Sequence, residues 1–183
     1  MYKRIMAIVL VLTTVVSSSI LGYASGNVGV YYIDSINEFE LVDEDFSVVY
    51  FTHEVMFDYM EDNGIPIRTL LPEDVLASAE RKDMMRSGDN RIERIYDEDG
   101  EEIRVDIYMS TEMLRALELG GITAALLLNY IPAIGMYVSA VAQYFVSEGI
   151  DASRAIILEC EKVVVEKGDE WGITYEVTGK RYQ

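Results

Sequence analysis

The chain has 183 residues, half of them hydrophobic, with 32 acidic side chains against 15 basic ones and a formal charge of −17. That balance argues against a nucleic-acid partner, because phosphate binding needs a clustered basic surface, and it disfavours attraction to anionic lipid. The length suits one domain, with or without an N-terminal extension.

Met1-Tyr-Lys-Arg4 is a short basic start. Residues 5–16 form an apolar run interrupted only by Thr13 and Thr14. Gly22 and Ala24 then place small residues at −3 and −1 of a cut before Ser25. Residues 1–24 therefore read as a secretory signal peptide. The apolar run is about 12 residues, short of the roughly 20 that span a bilayer. Cleavage would remove Lys3 and Arg4 and no acid, leaving 13 basic and 32 acidic residues and a charge of −19. The expected location is secreted or cell envelope.

The remainder divides into a mixed segment, 25–88, and a segment 89–183 that belongs to the same domain. Gly29-Val-Tyr-Tyr-Ile33 and Phe46-Ser-Val-Val-Tyr-Phe51 are rich in β-branched and aromatic residues, as strands are. Thr52 is placed to cap a helix that runs to Asp62 and stops at Asn63-Gly64. Pro72-Glu-Asp opens a second helix, 73–86, closed by Ser87-Gly88. Residues 91–96 and 101–108 form a hairpin around Asp97-Glu-Asp-Gly100, where Asp-Gly supplies the left-handed turn position. Ile103, Val105 and Ile107 alternate with Arg104, Asp106 and Tyr108, the period of a strand with one buried face. A second hairpin joins 154–166 to 171–178. Cys160 lies in its first arm as a half-buried strand residue whose flanking Glu159 and Glu161 raise its pKa. As the only cysteine it permits no internal disulfide.

Between the hairpins, residues 119–147 carry no charge. Pro132 interrupts this run, so two helices are expected, 111–129 and 133–148. Ser110 or Thr111 caps the first, and Glu148-Gly149 closes the second. Ala116, Gly120 and Thr123 in the first, and Gly135, Ser139 and Ala142 in the second, fall at i, i+4, i+7. Each set spans about 60° of helix surface, which lets two backbones approach closely. Tyr137 and Tyr144 lie nearly opposite the stripe. The expected fold is α+β: an apolar two-helix hairpin framed by two antiparallel β-hairpins, with further N-terminal helices. Residues 119–149, led by the corner Ile131-Pro-Ala-Ile-Gly135, resemble the hydrophobic helical-hairpin segment of bacteriocin-like small exported proteins of Gram-positive bacteria.

No catalytic motif emerges. His53 is the only histidine, which excludes a His-rich zinc site, and it reads as a partly exposed helix residue. There is no GxSxG, Walker loop or GxGxxG, and Asp97–Glu102 lacks the ligand spacing of a calcium loop. No cofactor or metal is expected. The sequence therefore points to a non-enzymatic exported protein that meets an unknown protein or membrane partner through residues 111–149. A membrane-active, toxin-like protein and an envelope protein anchored by a single span over 119–147 are the alternatives. The oligomeric state is not encoded in any visible motif.

Overall fold

The computed structural model describes residues 29–33, 35, 46–85, 90–127, 135–167 and 170–183. The expected signal peptide over residues 1–24, the expected stop at Ser87-Gly88 and the expected corner at Pro132 lie outside them.

Strands β1 (Gly29–Ile33) and β2 (Phe46–Phe51) occupy the aromatic and β-branched stretches. Helix α1 (His53–Asp62) follows directly, its first turn capped by Thr52, whose Oγ1 accepts from Val55 N at 3.2 Å. A short α2 (Ile67–Leu70) leads into α3 (Glu73–Met84), where Pro72 and two acids open the helix. Then come β3 (Arg91–Tyr96) and β4 (Glu102–Met109), joined by a turn in which Gly100 has φ +83°. The remaining elements are α4 (Thr111–Leu127), α5 (Gly135–Glu148), β5 (Ile156–Lys167) and β6 (Glu170–Tyr182).

All six strands form one sheet in the order β1-β2-β3-β4-β5-β6. The β1–β2 pair is parallel and the other four pairs are antiparallel. Register aligns Val49 with Ile92, Ile92 with Ile107, and Ile107 with Leu158, so one apolar row crosses four strands. That face packs against Val55, Met56 and Met60 of α1, Met113, Leu114 and Leu117 of α4, and Tyr137 and Val141 of α5, all buried. Burial of each large side chain contributes about 1.5–3 kcal/mol.

The architecture corrects the expected one. The two β-hairpins do not frame anything, because β4 pairs with β5 and fuses them into a continuous sheet. Nor is there an apolar two-helix hairpin. Gly121 adopts φ 67°, ψ −164°, which breaks α4 and interrupts the small-residue stripe between Gly120 and Thr123. The helices are also one-sided. In α4, Met113, Leu114, Ala116 and Leu117 are buried while Arg115, Glu118 and Leu119 face solvent. In α5, Val141 and Phe145 are buried while Gln143, Val146, Ser147 and Glu148 are exposed. The absence of charge over 119–147 concealed this asymmetry, since uncharged Gln143 and Ser147 serve as the polar face. No helix among the described residues is long and apolar enough to cross a membrane.

The Gly121 break gives a direct test. In a continuous helix, Gly121→Ala would add up to about 1 kcal/mol of stability. In the observed backbone region, which is nearly restricted to glycine, the same change is expected to cost about 2 kcal/mol. The sign of the shift in a urea denaturation midpoint distinguishes the two geometries.

Candidate functional site

The sole histidine lies at the centre of a polar junction. Thr52 ends β2 and starts α1, which turns the His53 side chain inward, and its exposure is 0%. It is therefore not the partly exposed helix residue that the sequence suggests. His53 Nδ1 meets Asp83 Oδ1 at 2.8 Å, and Nε2 meets Ser110 Oγ at 2.7 Å. Asp83, in the last turn of α3, also accepts from the backbone N–H groups of His53 and Glu54, both at 2.8 Å. Burial alone would raise the Asp83 carboxyl, but the hydrogen bonds from the His53 ring and the two amides hold it below its ordinary value. An ionised Asp83 only accepts, so Nδ1 donates to it, and Nε2 shares the remaining hydrogen bond with the Ser110 hydroxyl.

Aspartate, histidine and serine thus sit in the order and spacing of a hydrolytic triad. Two facts oppose that chemistry. Ser110 is fully buried, as is His53, so no substrate carbonyl reaches Oγ in this conformation. Oγ also accepts from Met113 N at 3.0 Å, capping α4. A nucleophile needs access to its substrate, and the bond from Met113 gives Oγ a structural task at the helix start. The junction instead ties the start of α1, the end of α3 and the start of α4 together. Asn90 extends it to the sheet: its Oδ1 accepts from Ser110 N at 2.8 Å, and its carbonyl accepts from Phe51 N at 3.2 Å.

Glu112 makes a second tie, between α3 and α4. It accepts from Ser78 Oγ at 2.6 Å, Thr111 Oγ1 at 2.9 Å and Lys82 Nζ at 3.0 Å. Burial opposes its ionisation, yet these donors hold its pKa down at about 2, from an ordinary 4.5. A depressed carboxylate stabilises the fold above its unfolded pKa, and that contribution fades as pH falls from about 4.5 towards about 2. The melting temperature is expected to drop across that window. Glu112→Gln should flatten this part of the profile and remove on the order of 2 kcal/mol at neutral pH.

Glu102 holds a third cluster, under α5. It accepts from Tyr175 OH at 2.6 Å and Tyr137 OH at 3.2 Å, and faces Arg94 Nε at 3.6 Å. The two rings pack edge to face, 4.6 Å between centroids. Burial, reinforced by the carboxylate, raises both phenols above their ordinary range. Tyr137 therefore binds helix to sheet, while Tyr144 is half-buried beside Phe145 with Lys180 6.0 Å from its ring. Ala116 and Ala142 are buried and Gly120 is half-buried. Gly135 opens α5 and Thr123 and Ser139 lie within the helices, but only their backbone belongs to the described geometry. Cys160 is buried on the helix-facing side, not half-buried, and burial, followed by the Asp106 charge, pushes its thiol up to about 12. Among the described residues no three His, Cys, Asp or Glu side chains converge to hold a metal ion.

The sheet face opposite the helices carries a further constellation, exposed at Tyr32 and Arg181 and buried at Ile157. Register aligns Tyr32, Tyr50, Arg91, Tyr108, Ile157 and Arg181 in one row across all six strands. The Tyr32 and Tyr50 rings stack at 4.9 Å. The Arg91 guanidinium lies 3.4 Å from the Tyr108 ring centroid and 5.8 Å from that of Tyr50, a cation–π bridge. The next row on this face is Val48, Glu93, Asp106 and Glu159. Asp106, almost fully buried, is bracketed by Arg104 Nε at 2.9 Å and Arg181 at 2.7 Å. Its burial outweighs both cations and raises its pKa. The alternation of Arg104, Asp106 and Tyr108 pointed to this face from sequence. The six-strand alignment did not, because register between distant strands has no local signal.

Fold and site together define a two-layer α+β protein with helices on one sheet face and a tyrosine–arginine ladder on the other. No known protein family matches the chain, and no curated protein or solved structure matches it either. The likeness of residues 119–149 to bacteriocin segments rests on those residues alone.

Proposed function

We propose that this chain is an exported, non-catalytic binding protein that docks a basic protein surface on the open face of its sheet. The observation that carries the reading is the ladder Tyr32–Tyr50–Arg91–Tyr108, aligned in register on the face opposite the helix-packed core. Tyrosine and arginine are the residue types enriched at the energetic centres of protein interfaces. Stacking and the cation–π bridge hold these side chains in place before a partner arrives, which lowers the entropy lost on binding. The partner's charge follows from the chain's own −17 and from exposed Glu161 and Glu176 on the same face. Residues 111–149 do not carry the reading, because the buried apolar side chains described for α4 and α5, among them Met113, Leu114, Leu117, Val141 and Phe145, belong to the core under the sheet. The full burial of Ser110 and His53 supports the non-catalytic half, and the basic start and apolar run of residues 1–24 support export.

A photo-reactive phenylalanine analogue at Tyr32, 47% exposed, is expected to trap one defined higher-mass adduct in the producing culture. The same group at exposed Ala77 on α3 should trap none. No adduct from Tyr32, or equal adducts from both positions, would sink the proposal.

A further inference from the structure

The β5–β6 ribbon outruns the sheet. β4 pairs with β5 from Met109↔Ile156 only to Arg104↔Glu161, whereas β5 and β6 stay paired out to Lys167↔Glu170. From Lys162 onward the β5 edge on the β4 side has no ladder partner among the described residues. The ribbon is apolar and exposed there. Val164 is 60% exposed, Val165 45%, and Ile173, aligned with Val164, 61%. An open edge of β-branched residues is a template for another strand.

We propose that this edge is a self-association site, filled by the same edge of a second copy of the chain in antiparallel, two-fold pairing centred on Val164. The order of charges around the valines selects both occupant and register. The segment reads Glu161-Lys-Val-Val-Val-Glu-Lys167. Centring on Val164 sets Val163 opposite Val165 of the second copy and Lys162 opposite its Glu166, and the symmetry makes each pairing twice. A slip of one residue sets Lys162 opposite Lys167. The opposite slip brings Glu166 to Glu161. Like charges directly opposite are destabilising, so only the central register joins valine to valine and lysine to glutamate. In that register Ile173 and Val164 of both copies line one apolar strip across four strands, and the two Val164 side chains shield part of each other from water. The pairing is isologous and closes at two chains.

Cross-linking in the full chain tests the proposal. Val164→Cys is expected to give a disulfide-linked dimer under mild oxidation, since Val164 meets its own copy across the two-fold axis. Buried Cys160 contributes nothing. Val146→Cys on α5, 62% exposed, should remain monomeric. No dimer from Val164→Cys, or equal dimer from Val146→Cys, overturns the site. Sedimentation then tests the register. Lys162→Glu is expected to weaken the dimer about tenfold, and Lys162→Glu with Glu166→Lys to restore it. A single variant as tight as the parent, or a double variant as weak as the single, overturns the pairing.

Discussion

His53→Ala is expected to lower the unfolding free energy by about 4 kcal/mol, the largest loss from any single polar truncation in this fold. The change removes two short hydrogen bonds, leaves Asp83 facing an empty space, takes the ring partner from the Ser110 hydroxyl, and opens a cavity where nothing is exposed to water. Cavity and unsatisfied-group penalties add at such a site. Ser110→Ala should cost less, about 1–2 kcal/mol, because it removes one cap and one partner. Urea denaturation of the three proteins measures both. The magnitude also separates a clamp from a catalytic relay. Groups kept for chemistry are commonly neutral or costly to stability, so their removal leaves the fold unharmed or firmer. A His53→Ala protein as stable as the parent would overturn the clamp and return attention to Ser110 as a nucleophile.

Glu102→Ala is expected to cost about 3 kcal/mol. Glu102 joins β4 to β6 through Tyr175 and to α5 through Tyr137, and is the carboxylate that Arg94 faces. Truncating one member of a partly buried charged network is more damaging than replacing the whole network by apolar groups, because the remaining charge stays largely desolvated. A double-mutant cycle with Tyr175→Phe should therefore show coupling of at least about 0.5 kcal/mol. Additive losses would mean that the 2.6 Å contact carries little of the attachment of β6 to β4.

Both predictions concern residues whose roles no local pattern reveals. His53 and Ser110 are 57 positions apart, and Glu102 and Tyr175 are 73 apart. By contrast, the strands over residues 29–33 and 46–51, the Thr52 cap and the Asn63-Gly64 stop were legible, because each depends on a few adjacent residues. The alternation around Ile103–Ile107 also identified which side chains of β4 face the core, apart from exposed Ile103, which the β3–β4 register shift leaves out of step. The uncharged stretch 119–147 misled for a physical reason. Periodicity in an α-helix is read from contrast, and Gln143, Ser147 and the glycines supply too little contrast against alanine and valine to mark a face. The break at Gly121 was invisible as well, since glycine tolerates helical and left-handed backbone alike.

The acidic charge, the positions of most strands and helix starts, and the lack of any internal disulfide were readable from the linear order of the residues. Each of these follows from composition or from interactions within a few residues. Tertiary structure alone decided that the two hairpins fuse into one sheet, that the histidine is a buried tie, and that Tyr32, Tyr50, Arg91 and Tyr108 stand in one row. Strand register and helix docking are settled by packing between segments far apart in the chain, where the total burial of apolar surface, and not any local preference, selects the arrangement.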